Sequence, residues 1–199
     1  MDRLDLEFVQ GKTFTKVIRW ETEPFIYKAI SSISKAGPAR IVTMVDHTVP
    51  DGWRVAVVSA GGMRQINAAN NPPKERDFKR ATAINATTVD LNTVNSSEYS
   101  TYTSGGYLQF YTPASLAGCT ARLVVKNRVG GTVLLTLTHL SGITLNDADK
   151  TITVTFTAAA SAAYTWTRGV YELEIEDADG VVTGLYYGSI HVTPEVATA

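Results

Sequence analysis

Gly169-Val-Tyr-Glu-Leu-Glu-Ile-Glu-Asp-Ala-Asp-Gly180-Val-Val-Thr-Gly-Leu-Tyr-Tyr-Gly-Ser-Ile-His-Val-Thr193 decides the fold class of this chain. Tyr171, Leu173 and Ile175 alternate strictly with Glu172, Glu174 and Glu176. Side chains on a strand change face at every residue, so the spacing predicts a strand with one buried and one wetted face. Asp177-Ala-Asp-Gly180 supplies turn chemistry, with Gly180 free to take positive φ, and a second β-rich run follows. The pair reads as a hairpin closing a β-sheet protein. It carries no nucleophile, metal-ligand cluster or phosphate loop.

Working outward, Thr120-Ala-Arg-Leu-Val-Val-Lys126, Thr132-Val-Leu-Leu-Thr-Leu137 and Thr151-Ile-Thr-Val-Thr-Phe156 read as strands. Turns at Gly130-Gly131 and Asn146-Asp-Ala-Asp149 separate them, and the alanine-rich run from Thr157 to Tyr164 predicts one or two helical turns. At the other end Leu4-Asp-Leu-Glu-Phe8 alternates, and Thr13-Phe-Thr-Lys-Val-Ile-Arg-Trp20 follows a break at Gln10-Gly11. Short strands with turn signals between them predict a β-sandwich.

The middle reads differently. Thr22-Glu-Pro24 resembles a helix entry, and Ile26, Ile30 and Ile33 recur at helical spacing before Gly37-Pro38. A short helix is the expectation, although Phe25-Ile-Tyr27 suits a strand equally. Strands are then predicted at Ile41-Val-Thr-Met-Val45, Trp53-Arg-Val-Ala-Val-Val-Ser59, 78–84, Thr88-Val-Asp-Leu91 and Tyr107-Leu-Gln-Phe-Tyr111, with polar loops between. The N-terminal strands are too few to close a fold, and the C-terminal ones fall short of the roughly seven in an immunoglobulin-like sandwich. The expected architecture is all-β: an immunoglobulin-like β-sandwich from 1–32 and 113–199, interrupted by an inserted small β-barrel at 33–112.

The 199 residues are 44% hydrophobic and 19% charged with net charge −1, enough apolar material for a core. Near-neutral charge argues against nucleic acid, which needs clustered cations. The one basic cluster, Lys74-Glu-Arg-Asp-Phe-Lys-Arg80, has acids mixed into it and reads as a solvated loop. Cys119 is the only cysteine, so no intrachain disulfide forms, and it reads as a small buried side chain at a strand start. No signal segment opens the sequence and no apolar run reaches membrane-spanning length, so the expectation is a protein made in a cytoplasm, with no membrane partner.

No enzymatic chemistry is expected. His47, His139 and His191 lie far apart and read as surface or rim imidazoles. Asp147-Ala-Asp149 and Asp177-Ala-Asp179 have the spacing that opens a calcium loop, but no downstream glutamate completes either, so they read as turns. Gly61-Gly62 and Gly105-Gly106 lack the Lys-Ser/Thr of a phosphate loop, and no serine sits in a nucleophile elbow. Glu172, Glu174 and Glu176 share one strand face, read as a solvated edge and not as carboxylates across a groove. No metal and no cofactor is expected. The candidate interaction residues are tyrosines: Tyr99, Tyr102, Tyr107 and Tyr111 in and after one loop, and the adjacent Tyr186 and Tyr187. Tyrosine suits interfaces because it joins an apolar body to a polar tip, and the same enrichment suits sugar binding.

Three blocks carry a resemblance: Gly11-Lys-Thr-Phe-Thr-Lys-Val-Ile-Arg-Trp20, Ser115-Leu-Ala-Gly-Cys-Thr-Ala-Arg-Leu-Val-Val-Lys126 and Thr165-Trp-Thr-Arg-Gly-Val-Tyr-Glu-Leu-Glu-Ile175. Together they resemble an immunoglobulin-like module of tailed-phage virion proteins, extending to the N-terminal domain of siphophage upper-baseplate proteins. Cys119 stands where that family usually has an aromatic residue. Asp51-Gly-Trp-Arg-Val-Ala-Val-Val-Ser59, Gly62-Met-Arg-Gln-Ile-Asn67 and Tyr99-Ser-Thr-Tyr-Thr-Ser-Gly-Gly106 resemble the small β-barrel named after the first catalytic-cysteine half-domain of ubiquitin-activating enzymes, which recurs in phage structural proteins. Its usual Gly-His-Gly opening is replaced by Asp46-His47-Thr48. The resemblance implies a virion structural protein, a tail, baseplate or neck adaptor, assembling as a homo-oligomeric ring with other virion proteins such as a tail fibre. Capsid decoration or recognition of a host-surface glycan is the alternative, and a hydrolase of cell-surface polymer an outsider.

Overall fold

The computed structural model describes residues 1–196 and is all-β apart from one short helix and two turns of 3-10 helix. In chain order the strands are β1 (Asp2–Arg3), β2 (Leu6–Val9), β3 (Phe14–Ile18), β4 (Glu21–Ile33), β5 (Ala39–Thr43), β6 (Arg54–Val58), β7 (Lys79–Asn85) and β8 (Thr88–Leu91). They continue as β9 (Tyr107–Pro113), β10 (Thr120–Lys126), β11 (Val133–His139), β12 (Gly142–Asn146) and β13 (Thr151–Phe156). Helix α1 (Ala158–Ala162), capped by the Thr157 hydroxyl, leads to β14 (Arg168–Glu176) and β15 (Val182–Thr193). Two compact units result, one from Met1–Trp20 with the chain from Ser115 onward, the other from Glu21–Ala114.

The first unit is sandwich-like. On one side β1 and β2 run parallel to β15, and the order continues through β14 and β10 to β11. On the other, β3, β13 and β12 pair antiparallel, with β12 meeting β11 only in a two-residue parallel contact. Leu6, Phe8, Ile18, Leu123, Ile152, Phe156, Leu173 and Ile190 belong to the core. Strand β12 has no counterpart in the sequence reading, because Leu140 (φ 66°) and Gly142 (φ 90°) turn the chain within a very short link.

Strand β14 shows how alternation builds this unit. Tyr171, Leu173 and Ile175 are buried and pair with Val125, Leu123 and Ala121 of β10. Glu172, Glu174 and Glu176 face outward, but β14 lies between β15 and β10, so they occupy mid-sheet and not the edge expected from the sequence. On β15 a bulge interrupts the alternation: Leu173 pairs with Tyr186 and Glu174 with Gly184, leaving Leu185 as the extra residue. Leu185 and Tyr186 therefore both pack on the core, and Tyr187 points out.

A latch holds the N-terminal strands to β15. The Leu4 amide donates to the Tyr187 carbonyl (2.9 Å), and the Tyr171 hydroxyl donates to the Leu4 carbonyl (2.5 Å). Asp5 Oδ1 accepts from both the amide and the hydroxyl of Ser189, each at 2.8 Å. Gly188 makes room for this crossing: a Cβ there would stand 2.2 Å from the Leu4 carbonyl oxygen. Burial pushes the Tyr171 phenol up, which keeps it a donor. The Ser189 amide and hydroxyl, with Arg3 beyond them, lower the Asp5 carboxyl from 3.8 to about 2.

The second unit is a closed barrel in the order β4-β5-β8-β7-β6-β9. Ile30, Ile41, Trp53, Met63, Leu108 and Phe110 are among its fully buried side chains. The long β4 makes two contacts, with β9 along its first part and with β5 at its end. This segment is a strand where the spacing of its isoleucines predicts a helix. A register shift against β5 between Ile30 and Ser32 resets the alternation. Ile26 and Ile30 before the shift and Ile33 after it all pack on the core, so a bulged strand reproduces a helical spacing. β-Branched Ile and the aromatics Phe25 and Tyr27 suit the strand state. The unit boundaries consequently fall after Trp20 and Ala114, and not after 32 and 112, because the whole of β4 is barrel wall.

Leu173→Ala should destabilise the sandwich unit by about 2–5 kcal/mol, since it empties a fully buried site. Denaturant unfolding followed by amide signals of β14 checks this. The lowered Asp5 pKa adds a sign: its contribution is complete above the unfolded value of 3.8 and is lost as pH falls through about 2. The Ser189 amide shift should titrate with a midpoint of about 2, and Asp5→Asn should abolish that titration. A midpoint near 3.8 would contradict the latch.

Candidate interaction surfaces

The outward face of the β4-β9-β6 wall carries a continuous aromatic strip. Register sets Phe25 beside Tyr111, Tyr27 beside Gln109 and Ala29 beside Tyr107, with Ala56 and Val58 on the far side of Gln109 and Tyr107. Phe25 and Tyr111 touch at 4.3 Å between ring centroids, and Phe78 stacks on both, at 6.2 and 5.5 Å. Tyr27 meets Tyr107 edge-to-face at 6.3 Å and Phe25 at 6.5 Å. Tyr27 and Tyr107 are 54% and 46% exposed, so the strip ends in two open rings. Such contact is worth about 0.5–1.5 kcal/mol per pair beyond area burial.

Arg54 closes the other end. Its guanidinium lies over the rings of Phe78 (5.2 Å) and Tyr111 (5.3 Å) and pairs with Glu21 (2.5 Å) and Glu75. Burial works against the Arg54 charge, and the bonds from Glu75 and Glu21 outweigh it, so its pKa is raised. Burial pushes the Glu21 carboxyl up, with the Arg54 charge opposing. Both carboxylates are thus engaged by Arg54 at this end of the strip. At its centre Gln109 is 2% exposed, and its Nε2 reaches no hydrogen-bond partner among the described residues.

The six tyrosines singled out by sequence do not form one site. Tyr107 and Tyr111 belong to the strip. Tyr99 and Tyr102 pack against the barrel core, and the Tyr102 hydroxyl donates to the carbonyls of Ile30 (3.0 Å) and Gly105 (2.9 Å), pinning the loop before β9. Tyr186 packs on the sandwich core, and Tyr187 stands 47% exposed on the outer sheet face. Phe25, Tyr27, Phe78 and Arg54 were missed. Reading Phe25-Ile-Tyr27 as strand would have set two rings on one face, but their partners on β9 become visible only with the register.

The other polar residues serve the fold. His47 is buried, 3% exposed, and is not the rim imidazole expected. Its Nδ1 accepts from the Val49 amide (2.8 Å), so Nε2 carries the proton donated to the Asn85 carbonyl (2.7 Å). Asp147 accepts from the Leu116 amide and Lys150, both at 2.6 Å, and Asp177 accepts from the amides of Asp179 and Val181. Burial pushes the Cys119 thiol up, reinforced by the charges of Asp177 and Asp147, which disfavours a thiolate. Among the described residues no group of three His, Cys, Asp or Glu is placed to hold a metal ion.

Removing the Tyr102 hydroxyl (Tyr102→Phe) should cost the barrel about 1 kcal/mol. Tyr107→Phe should change stability by less than about 0.5 kcal/mol. Urea unfolding of both variants separates the structural tyrosine from the surface one. Compared with known protein families the chain matches no family model, and compared with curated proteins it matches none.

Proposed function

We propose that this chain is a structural protein of a tailed-phage virion, a tail, baseplate or neck adaptor that assembles by protein–protein contact and performs no catalysis. The observation that carries this reading is the aromatic strip with its two open tyrosines, since tyrosine is enriched at protein–protein interfaces. The sandwich supports the phage context when read as immunoglobulin-like. With β3 as strand B, β10 as C, β11 as C′, β12 as D, β13 as E, β14 as F and β15 as G, its order is B-E-D opposite G-F-C-C′. The barrel then occupies the connection between B and C, as the resemblance to phage modules implies. In this account several copies form a ring with other virion proteins.

The glycan reading keeps one observation in its favour: two half-exposed rings flank a buried amide, Gln109. A glycan array separates the two, because sugar binding lost on Tyr107→Ala would favour recognition over scaffolding. The direct test of the main reading is mass spectrometry and immunogold microscopy of purified particles. The protein should be present, and a Tyr27→Ser/Tyr107→Ser variant should fold but fail to enter them. Absence of the wild-type protein from purified virions would overturn the proposal.

A further inference from the structure

The sandwich unit, unlike the closed barrel, has free strand edges, and they are broken up at every strand but one. Strand β1 is two residues long, and β2 is four with the exposed Glu7 among them. On β11, Val133 pairs with Lys126 but Leu135 with Val125, so Leu134 bulges out of the edge. Strand β12 meets β11 at Gly142 and Ile143, which leaves only Thr144 to Asn146 open. Strand β3 differs. Its five residues pair with β13 in unbroken antiparallel register, from Phe14 with Phe156 to Ile18 with Ile152, and it ends its sheet. Among the described residues no main-chain hydrogen bond except those to β13 reaches Phe14 to Ile18. Phe14, Thr15, Val17 and Ile18 all favour the extended state. A regular open edge of this kind is a template for pairing with another chain.

Lys16 stands at the centre of this edge. Phe14, Lys16 and Ile18 share the core-facing side, because their partners Phe156, Val154 and Ile152 are all core residues. Lys16 is half-buried there, and among the described residues it makes no ion pair. A second copy of β3 would extend the sheet antiparallel, about a two-fold axis normal to it. With the core faces kept on one side, a single register pairs all five residues: Phe14 with Ile18, Thr15 with Val17, and Lys16 with Lys16. Two ammonium groups then oppose each other on the side that meets the core, and like charges directly opposite are destabilising. A two-residue slide avoids that contact but leaves only three residues of each strand paired. We propose that Lys16 is a charge gate that closes the β3 edge to a second copy of this chain. The inference rests on register and charge, and is independent of what the aromatic strip binds.

Sedimentation equilibrium of the full chain, with amide hydrogen exchange of β3 over the same concentration series, tests it. Lys16→Thr should associate at least about tenfold more tightly than the wild type, because it removes the like-charge contact. Its Phe14 to Ile18 amides should become slower to exchange as concentration rises. Lys16→Glu keeps like charges across the axis and should associate no more than the wild type. An equimolar mixture of Lys16→Glu with the wild type sets opposite charges across the axis and should form a mixed dimer that neither gives alone. Circular dichroism checks that both variants fold. A Lys16→Thr variant no more associated than the wild type would overturn the proposal. So would a wild type whose β3 amides already gain protection with concentration, or a mixture that behaves as the sum of its components.

Discussion

Glu21 at the start of β4 pairs with Pro113 at the end of β9, so the first and last strands of the barrel are neighbours in its wall. The chain on either side of this unit, up to Trp20 and from Ser115, belongs to one other compact unit, so the two ends of the barrel have to come together. Adjacent strands lie about 4.8 Å apart, so this pairing meets the requirement within the barrel itself. It also removes the barrel's free edges, since closure leaves no unpaired strand to recruit another chain. For the sandwich the interruption falls between β3 and β10, which belong to separate strand sets, so no hairpin register is broken by it. The thirteen residues of β4 serve β9 and β5 in turn, and that length is why the barrel begins immediately after Trp20.

Much of the sandwich was legible in the sequence, and the reasons are local. Strand β14 alternates without exception over Tyr171 to Glu176, and Gly180 (φ 80°) turns the chain where its flexibility suggests. Where the reading failed, backbone irregularity had disguised the periodicity. The bulge in β4 gave Ile26, Ile30 and Ile33 a helical spacing, and the bulge at Leu185 allowed adjacent residues to share the core. The tight link at Leu140 hid a strand boundary inside what reads as one polar stretch. Composition identified tyrosine as the residue type of interest, but one-dimensional proximity grouped the wrong ones. Tyr99 and Tyr102 adjoin Tyr107 in sequence yet serve the barrel core, whereas Tyr27 and Phe25 reach Tyr107 and Tyr111 across a long sequence separation.

The distribution of satisfied and unsatisfied polar groups separates fold from surface. His47, Ser96 and Ser161 are buried, and each is hydrogen-bonded to nearby backbone, as buried polar side chains require. Asp5, Asp147 and Asp177 hold turns and strand crossings through main-chain amides. Gln109, whose Nε2 reaches no hydrogen-bond partner among the described residues, lies in the aromatic strip. The aromatic strip, closed at one end by Arg54 with Glu21 and Glu75 and open at the other at Tyr27 and Tyr107, is the surface on which the proposed docking rests.

The central structural claim is that Glu21–Ala114 form a closed barrel complete in its own strands. Nuclear magnetic resonance of residues 21–114 produced alone tests it most directly. The account predicts a dispersed amide spectrum, with slow hydrogen exchange at the β4–β9 pairing that joins the two ends. A collapsed spectrum with no protected amides in β4 and β9 would contradict it.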